Sequence, residues 1–192
     1  MYWITVRRSA LALAALASIA VLAPAVASAV KVPKPPAGCR SSLKYRANVP
    51  PQCEQWRYVM ETMKYHPDQY MARANDFRSQ GCSTPGGGCR KPAPYNGFDW
   101  TTDGCSWTPP PARNVFNSAC QQHDFGYRNF GKGPTVGRNE DARAWVDWRF
   151  KTEMTKLCKK PAVSIPLGGN VLCNRVATGM YGVVRNRSDW SD

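Results

Sequence analysis

Histidine is nearly absent from this chain of 192 residues: there are two, His66 and His123. Acidic side chains are scarce, 13 Asp and Glu against 26 Lys and Arg, a formal net charge of +13. There is no Cys-x2-Cys pair and no second His-based ligand pair, so a structural zinc site, which needs several Cys or His ligands at close spacing, ranks well below disulfides. No alternating apolar pattern marks a strand and no repeat is present, which disfavours sheet and solenoid architectures. After the first 29 residues no run is apolar enough to span a bilayer.

Those first residues read as a targeting segment. Arg7 and Arg8 precede an apolar run from Ala10 to Ala23, followed by Pro24 and Ala27-Ser28-Ala29. A charged start, an apolar middle and a small-residue cleavage site predict a secretory signal peptide over 1–29. All eight cysteines follow it: Cys39, Cys53, Cys82, Cys89, Cys105, Cys120, Cys158 and Cys173. An even count in an exported chain predicts disulfides, but counting alone leaves about 105 pairings open.

The positive excess is larger before residue 96. Residues 30–95 hold 11 basic against 4 acidic side chains, and residues 96–192 hold 13 against 9. Such an exported protein would be drawn to anionic lipid, cell-wall polymer or nucleic acid. The bases are spread along the chain rather than gathered on one helix, so no nucleic-acid partner is expected. A surface that is simply well solvated explains the charge equally well.

Residues 30–51 are proline-rich and predict an extended lead. Trp56, Val59, Met60 and Met63 recur at helical spacing between Gln52 and Ser79, with a break at Pro67. His66 lies at that break and reads as a loop residue without chemistry. The glycine-rich stretch Cys82–Cys89 contains no carboxylate and reads as structural. The boundary of the main domain is placed there, giving an extension over 30–95, which could be a propeptide, a targeting module or an integral cap, and a main domain over 96–192. Three helices are predicted in that domain: Asn114 to Phe130, a helix capped by Asn139 and running to Lys159 or Lys160, and Val171 to Arg185. On the last, Cys173, Val176, Met180 and Val183 form the apolar stripe. The fold class is all-α.

On the first of these helices, Phe116, Ala119, Cys120, His123 and Tyr127 share one face. Asp124 is rotated by about 100° from His123, so the two point to neighbouring sectors and do different jobs. On the second helix Asp147 lies at the margin of a stripe formed by Ala142, Trp145, Val146, Phe150, Met154, Leu157 and Cys158. A carboxylate there needs a hydrogen bond if buried; His123 on an antiparallel neighbour could supply it. A surface pairing with Arg143 or Lys151 is the equal alternative on spacing. Asp103 sits in a turn before Gly104 and Cys105. A Cys105–Cys120 bridge would bring Asp103, a backbone carbonyl and Asp124 together, a hard-oxygen set suited to Ca²⁺. A turn-capping role for Asp103 is the alternative.

The stretch FDWTTDGCSW…FNSACQQHDFGYRN resembles the secreted phospholipases A2 of bacteria and fungi, through Cys120-x-x-His123-Asp124-x-x-Tyr127 above all. The resemblance covers about Phe98 to Val184. It departs from the animal enzymes in having Ala119, not a second cysteine, before Cys120. It implies a disulfide-stapled helical domain with two long antiparallel helices, His123 as general base and Asp147 as its orienting carboxylate. It implies Ca²⁺ held by Asp103, Asp124 and the Gly104 carbonyl, with Tyr127 bonded toward Asp147. It implies Cys105–Cys120 and Cys158–Cys173 bridges, which leave Cys39 with Cys53 and Cys82 with Cys89. The implied activity is hydrolysis of the sn-2 ester of glycerophospholipids by a secreted monomer acting at membrane or micelle surfaces, anionic ones favoured. Phe98, Trp100 and Trp107 are candidates to line an acyl channel or enter the interface; the alternative is that they are core aromatics, and for Trp100 that reading is favoured. The rival function is a non-enzymatic cationic protein that binds membrane or cell wall.

Overall fold

The computed structural model describes residues 29–39, 49–132 and 139–186. The predicted signal peptide lies outside them except for Ala29. Among the described residues six α-helices follow in order: α1 Pro51–Thr62, α2 Pro67–Ser79, α3 Ala112–Gly126, α4 Glu140–Leu157, the short α5 Pro161–Ser164, and α6 Asn170–Asn186. There is no strand among the described residues.

Local chemistry explains the helix starts. Pro51 and Pro67 occupy first-turn positions, where a missing N–H costs nothing. His66 is more than a loop residue. Its ring accepts from the Asp68 N–H while the Gln69 side chain accepts from the His66 N–H, a reciprocal capping box. Asn139 caps α4 as predicted, accepting from the Ala142 N–H at 2.8 Å, an interaction that stabilises a helix by about 1 kcal/mol. The predicted helix to Phe130 is α-helical only to Gly126 and continues as a π-helix, Tyr127–Lys132. Within that wider turn Asn129 exchanges bonds with the Asp99 backbone, and Arg128 bonds the Thr101 carbonyl, so consecutive residues both grip the 99–103 segment.

All eight cysteines are paired, as Cys39–Cys53, Cys82–Cys89, Cys105–Cys120 and Cys158–Cys173. The last joins the end of α4 to the start of α6. The two helices pack along their length through Cys173, Ala177, Met180 and Val184 of α6. That is one face at 3.6-residue spacing; Val183, predicted on the stripe, is 44% exposed, and Val176 lies at the edge.

The core has two parts. One joins α1 and α2 to Phe98, Trp100, Phe125, Tyr127, Trp145 and Val146. The other joins Phe116, Cys120, Phe150, Met154 and Leu157 to α6. Phe98 and Trp100 are therefore core residues, the reading favoured for Trp100 from the sequence, and of that trio Trp107 alone is exposed. The helices α1 and α2, before residue 96, are built into the first part. Tyr70 donates to the Gln121 carbonyl at 2.9 Å, Gln122 to the carbonyls of Thr62 and Tyr65, and Arg149 to the Met63 carbonyl at 2.9 Å. Gly126 lets these elements meet: a Cβ there would come within 2.7 Å of Val146 Cγ1 and 3.0 Å of Met63 Cε.

Candidate active site

α3 and α4 each pass from one part of the core to the other. His123 lies between Cys120 and Phe125, and Asp147 between Val146 and Phe150, so the two face each other at the seam. His123 Nε2 is 2.8 Å from Asp147 Oδ1. Asp147 is fully buried, which settles its two sequence alternatives in favour of His123. The Tyr127 hydroxyl donates to the same oxygen at 2.8 Å, as expected. The imidazole is flanked by the rings of Tyr127 and Phe150, with centroids at 4.3 and 4.7 Å. Because Asp147 is an acceptor, Nε2 carries the proton and Nδ1 the lone pair.

Two arginines, one of which sequence spacing had offered and one it had not, complete the carboxylate's surroundings. Arg185 Nη1, from α6, donates to Asp147 Oδ2 at 2.9 Å, and Arg143 Nη1 stands 3.8 Å from the same oxygen. Burial alone would push the Asp147 carboxyl up. The bonds from His123, Arg185 and Tyr127 outweigh it and hold the group below the ordinary carboxylate range. The i–4 spacing of Arg143 was visible in the sequence; Arg185, 38 residues away, left no local signal.

Asp124 points aside from this pair, as helix geometry requires. Its Oδ2 accepts from Thr102 Oγ1 and from the Gly104 N–H at 2.9 Å. Gly104 has φ +61°, and a Cβ there would lie 2.8 Å from Asn117 Oδ1, so both conformation and space call for glycine. Gly104 meets Asp124 through its N–H. The Cys105–Cys120 bridge ties this turn to α3. Burial pushes the Asp124 carboxyl up to about 6 despite the Thr102 bond, and the charge of Asp103 adds to the rise. Asp103 accepts from Ser106 Oγ at 2.8 Å and pairs with Arg128 Nη2 at 3.3 Å. Burial raises the Asp103 carboxyl, but the Ser106 bond and the Arg128 charge bring it below its ordinary value.

Two carboxylates that feel each other, one of them buried and short of compensating positive charge, fit a hard divalent cation. Among the described residues no group of three or more His, Cys, Asp or Glu converges. The side chains here that could hold such a cation are the Asp103 and Asp124 carboxylates.

The profile of prokaryotic phospholipase A2 matches residues 87–188. The chain is 37% identical over 93 residues to a secretory phospholipase A2 of Arthroderma benhamiae, covering 47% of this chain and 60% of that protein. It is 39% identical over 62 residues to a secretory phospholipase A2 of Beauveria bassiana, covering 32% of each. The chain thus matches less than two thirds of either relative's length. A buried His–Asp pair on antiparallel helices, a disulfide-tied acidic turn beside it and a profile match over more than half the chain lead to one assignment: the chain belongs to the prokaryotic phospholipase A2 family.

Proposed function

We propose that this protein is a secreted, calcium-dependent phospholipase A2 that hydrolyses the sn-2 ester of glycerophospholipids to a lysophospholipid and a fatty acid. The observation that carries the reading is the 2.8 Å His123 Nε2–Asp147 Oδ1 bond, with Tyr127 and Arg185 on the same carboxylate.

Held in that tautomer, His123 accepts a proton from water at Nδ1 as the water oxygen forms a bond to the sn-2 carbonyl carbon. Asp147 stabilises the imidazolium that results. The same proton then passes to the departing glycerol oxygen as the ester C–O bond breaks. No side-chain nucleophile and no covalent intermediate are required. Asp103, Asp124 and the Gly104 carbonyl would hold Ca²⁺. When bound it supplies Lewis-acid polarisation of the carbonyl and a counter-charge for the phosphate. Arg128 would have to share or release Asp103 in that state.

Export is supported by the paired cysteines and by the relatives named secretory. Residues 1–29 would be removed. Residues 30–95 would stay attached, since their helices share the core with α3 and α4. The protein would act as a monomer at phospholipid surfaces, anionic ones favoured by the net charge of +11 that remains once Arg7 and Arg8 leave with residues 1–29.

The test is fatty-acid release from mixed phospholipid vesicles with Ca²⁺ or with EDTA. Release with Ca²⁺ and none with EDTA is expected. Vesicle leakage without fatty-acid release, indifferent to EDTA, would overturn the enzymatic reading and favour a membrane-binding protein.

A further inference from the structure

We propose that Arg185, one residue from the end of α6, is a positioning residue for the His123 base: it holds the Asp147 carboxylate in the one orientation that faces the imidazole. The inference rests on His123 acting as the base. The terminal torsion of an aspartate is broad and two-fold, so its rotamer does not decide which way the oxygens lie; their partners do. Asp147 Oδ1 carries His123 and Tyr127. Oδ2 has Arg185 at 2.9 Å, while Arg143 at 3.8 Å is beyond hydrogen-bond reach. Take Arg185 away and a fully buried oxygen loses its close donor. The carboxylate is then free to turn toward Arg143, and both bonds on Oδ1 bend with it.

Arg185 is itself anchored. Its Nη2 donates to Glu140 Oε1 at 2.7 Å, and Glu140 in the first turn of α4 also accepts from Arg143 Nε at 2.8 Å. A guanidinium is a planar fork and can hold Asp147 and Glu140 at once. A lysine ammonium brings the charge without the fixed two-pronged geometry. The orientation of the base is thereby tied to how α6 lies on α4, which their packed face and the Cys158–Cys173 bridge determine.

The test compares wild type, Arg185→Gln and Arg185→Lys. Vesicle hydrolysis with Ca²⁺ yields kcat and KM. Proton NMR in EDTA follows the His123 ring N–H, with His66 as the only other histidine to assign. Arg185→Gln is expected to lower kcat roughly ten- to a hundredfold, the scale of a small misplacement of a reacting group, with KM within about twofold. The ring N–H signal should broaden by exchange. Arg185→Lys should recover part of both. Wild-type kcat in Arg185→Gln overturns the proposal, as does an unchanged ring signal. A loss that Arg185→Lys does not relieve at all also overturns it, because it marks general damage to α6. Should wild type release no fatty acid, the proposed function fails, and the ring signal alone decides whether Arg185 orients the pair.

Discussion

Asp124→Asn separates the cost of the proposed cation site from its use. The Asp124 carboxyl is 5% exposed, and burial lifts it from 3.8 to about 6. A carboxyl raised in the folded state holds its proton more tightly there than in the unfolded chain. Stability therefore falls as pH rises from about 4 to about 6 and is level above that. The shift corresponds to about 3 kcal/mol against the folded state at neutral pH. Asparagine keeps an acceptor for Thr102 and the Gly104 N–H but carries no charge, so it escapes this penalty. In urea titrations with EDTA, the variant should gain on wild type by up to about 3 kcal/mol between pH 4 and pH 7, or roughly 6–12 °C in melting temperature. Added Ca²⁺ should return that stability to wild type by mass action and leave the variant unchanged. Using the difference between the two proteins cancels the other carboxyls, which titrate in both. A difference that stays flat from pH 4 to pH 7 would refute the electrostatic reasoning. Equal stabilisation of both proteins by Ca²⁺ would refute the ligand role.

Three further outcomes are expected. Asp147→Asn must turn its amide NH₂ toward either His123 and Tyr127 or Arg185, all donors; kcat should drop by about 10² to 10⁴ while calorimetric Ca²⁺ affinity holds, and an active variant would sink the assignment. Arg149→Met strips the Met63 carbonyl of its donor and leaves the 1%-exposed Glu153 with Lys156 alone, so urea midpoints should fall by the equivalent of about 3–5 kcal/mol, and adding Glu153→Leu should restore most of it. Binding to anionic vesicles should weaken as salt rises from about 0.05 to 0.5 M; sedimentation that ignores salt would speak against attraction through the basic surface.

The second of these bears on residues 30–95, for which the sequence left open a propeptide, a targeting module or a cap. Arg149 reaches from α4, two residues after Asp147, to the end of α1. Gln122, next to His123, donates to the carbonyls of Thr62 and Tyr65 just beyond it. The backs of α3 and α4 thus lean on the extension.

Periodicity in the sequence was enough to place His123 on a buried face, to turn Asp124 away from it and to start α4 at Asn139, because these follow from 3.6 residues per turn and from capping chemistry. It also showed that Asp147 stood at the margin of an apolar stripe. Whether that margin was buried could not be read there, since a stripe records which residues are apolar and not what covers them. Tertiary packing decided it: α3 and α4 meet at the seam between two parts of the core, and Asp147 is enclosed. Packing likewise sent Phe98 and Trp100 inward, where α2 and Phe125 had room for them. The widening at Tyr127 left no mark in the apolar pattern, because a π-turn changes backbone bonding and not residue type. Arg185 was least visible of all. Its partner lies 38 residues away on another helix, and only the closure of α6 against α4 brings the two together.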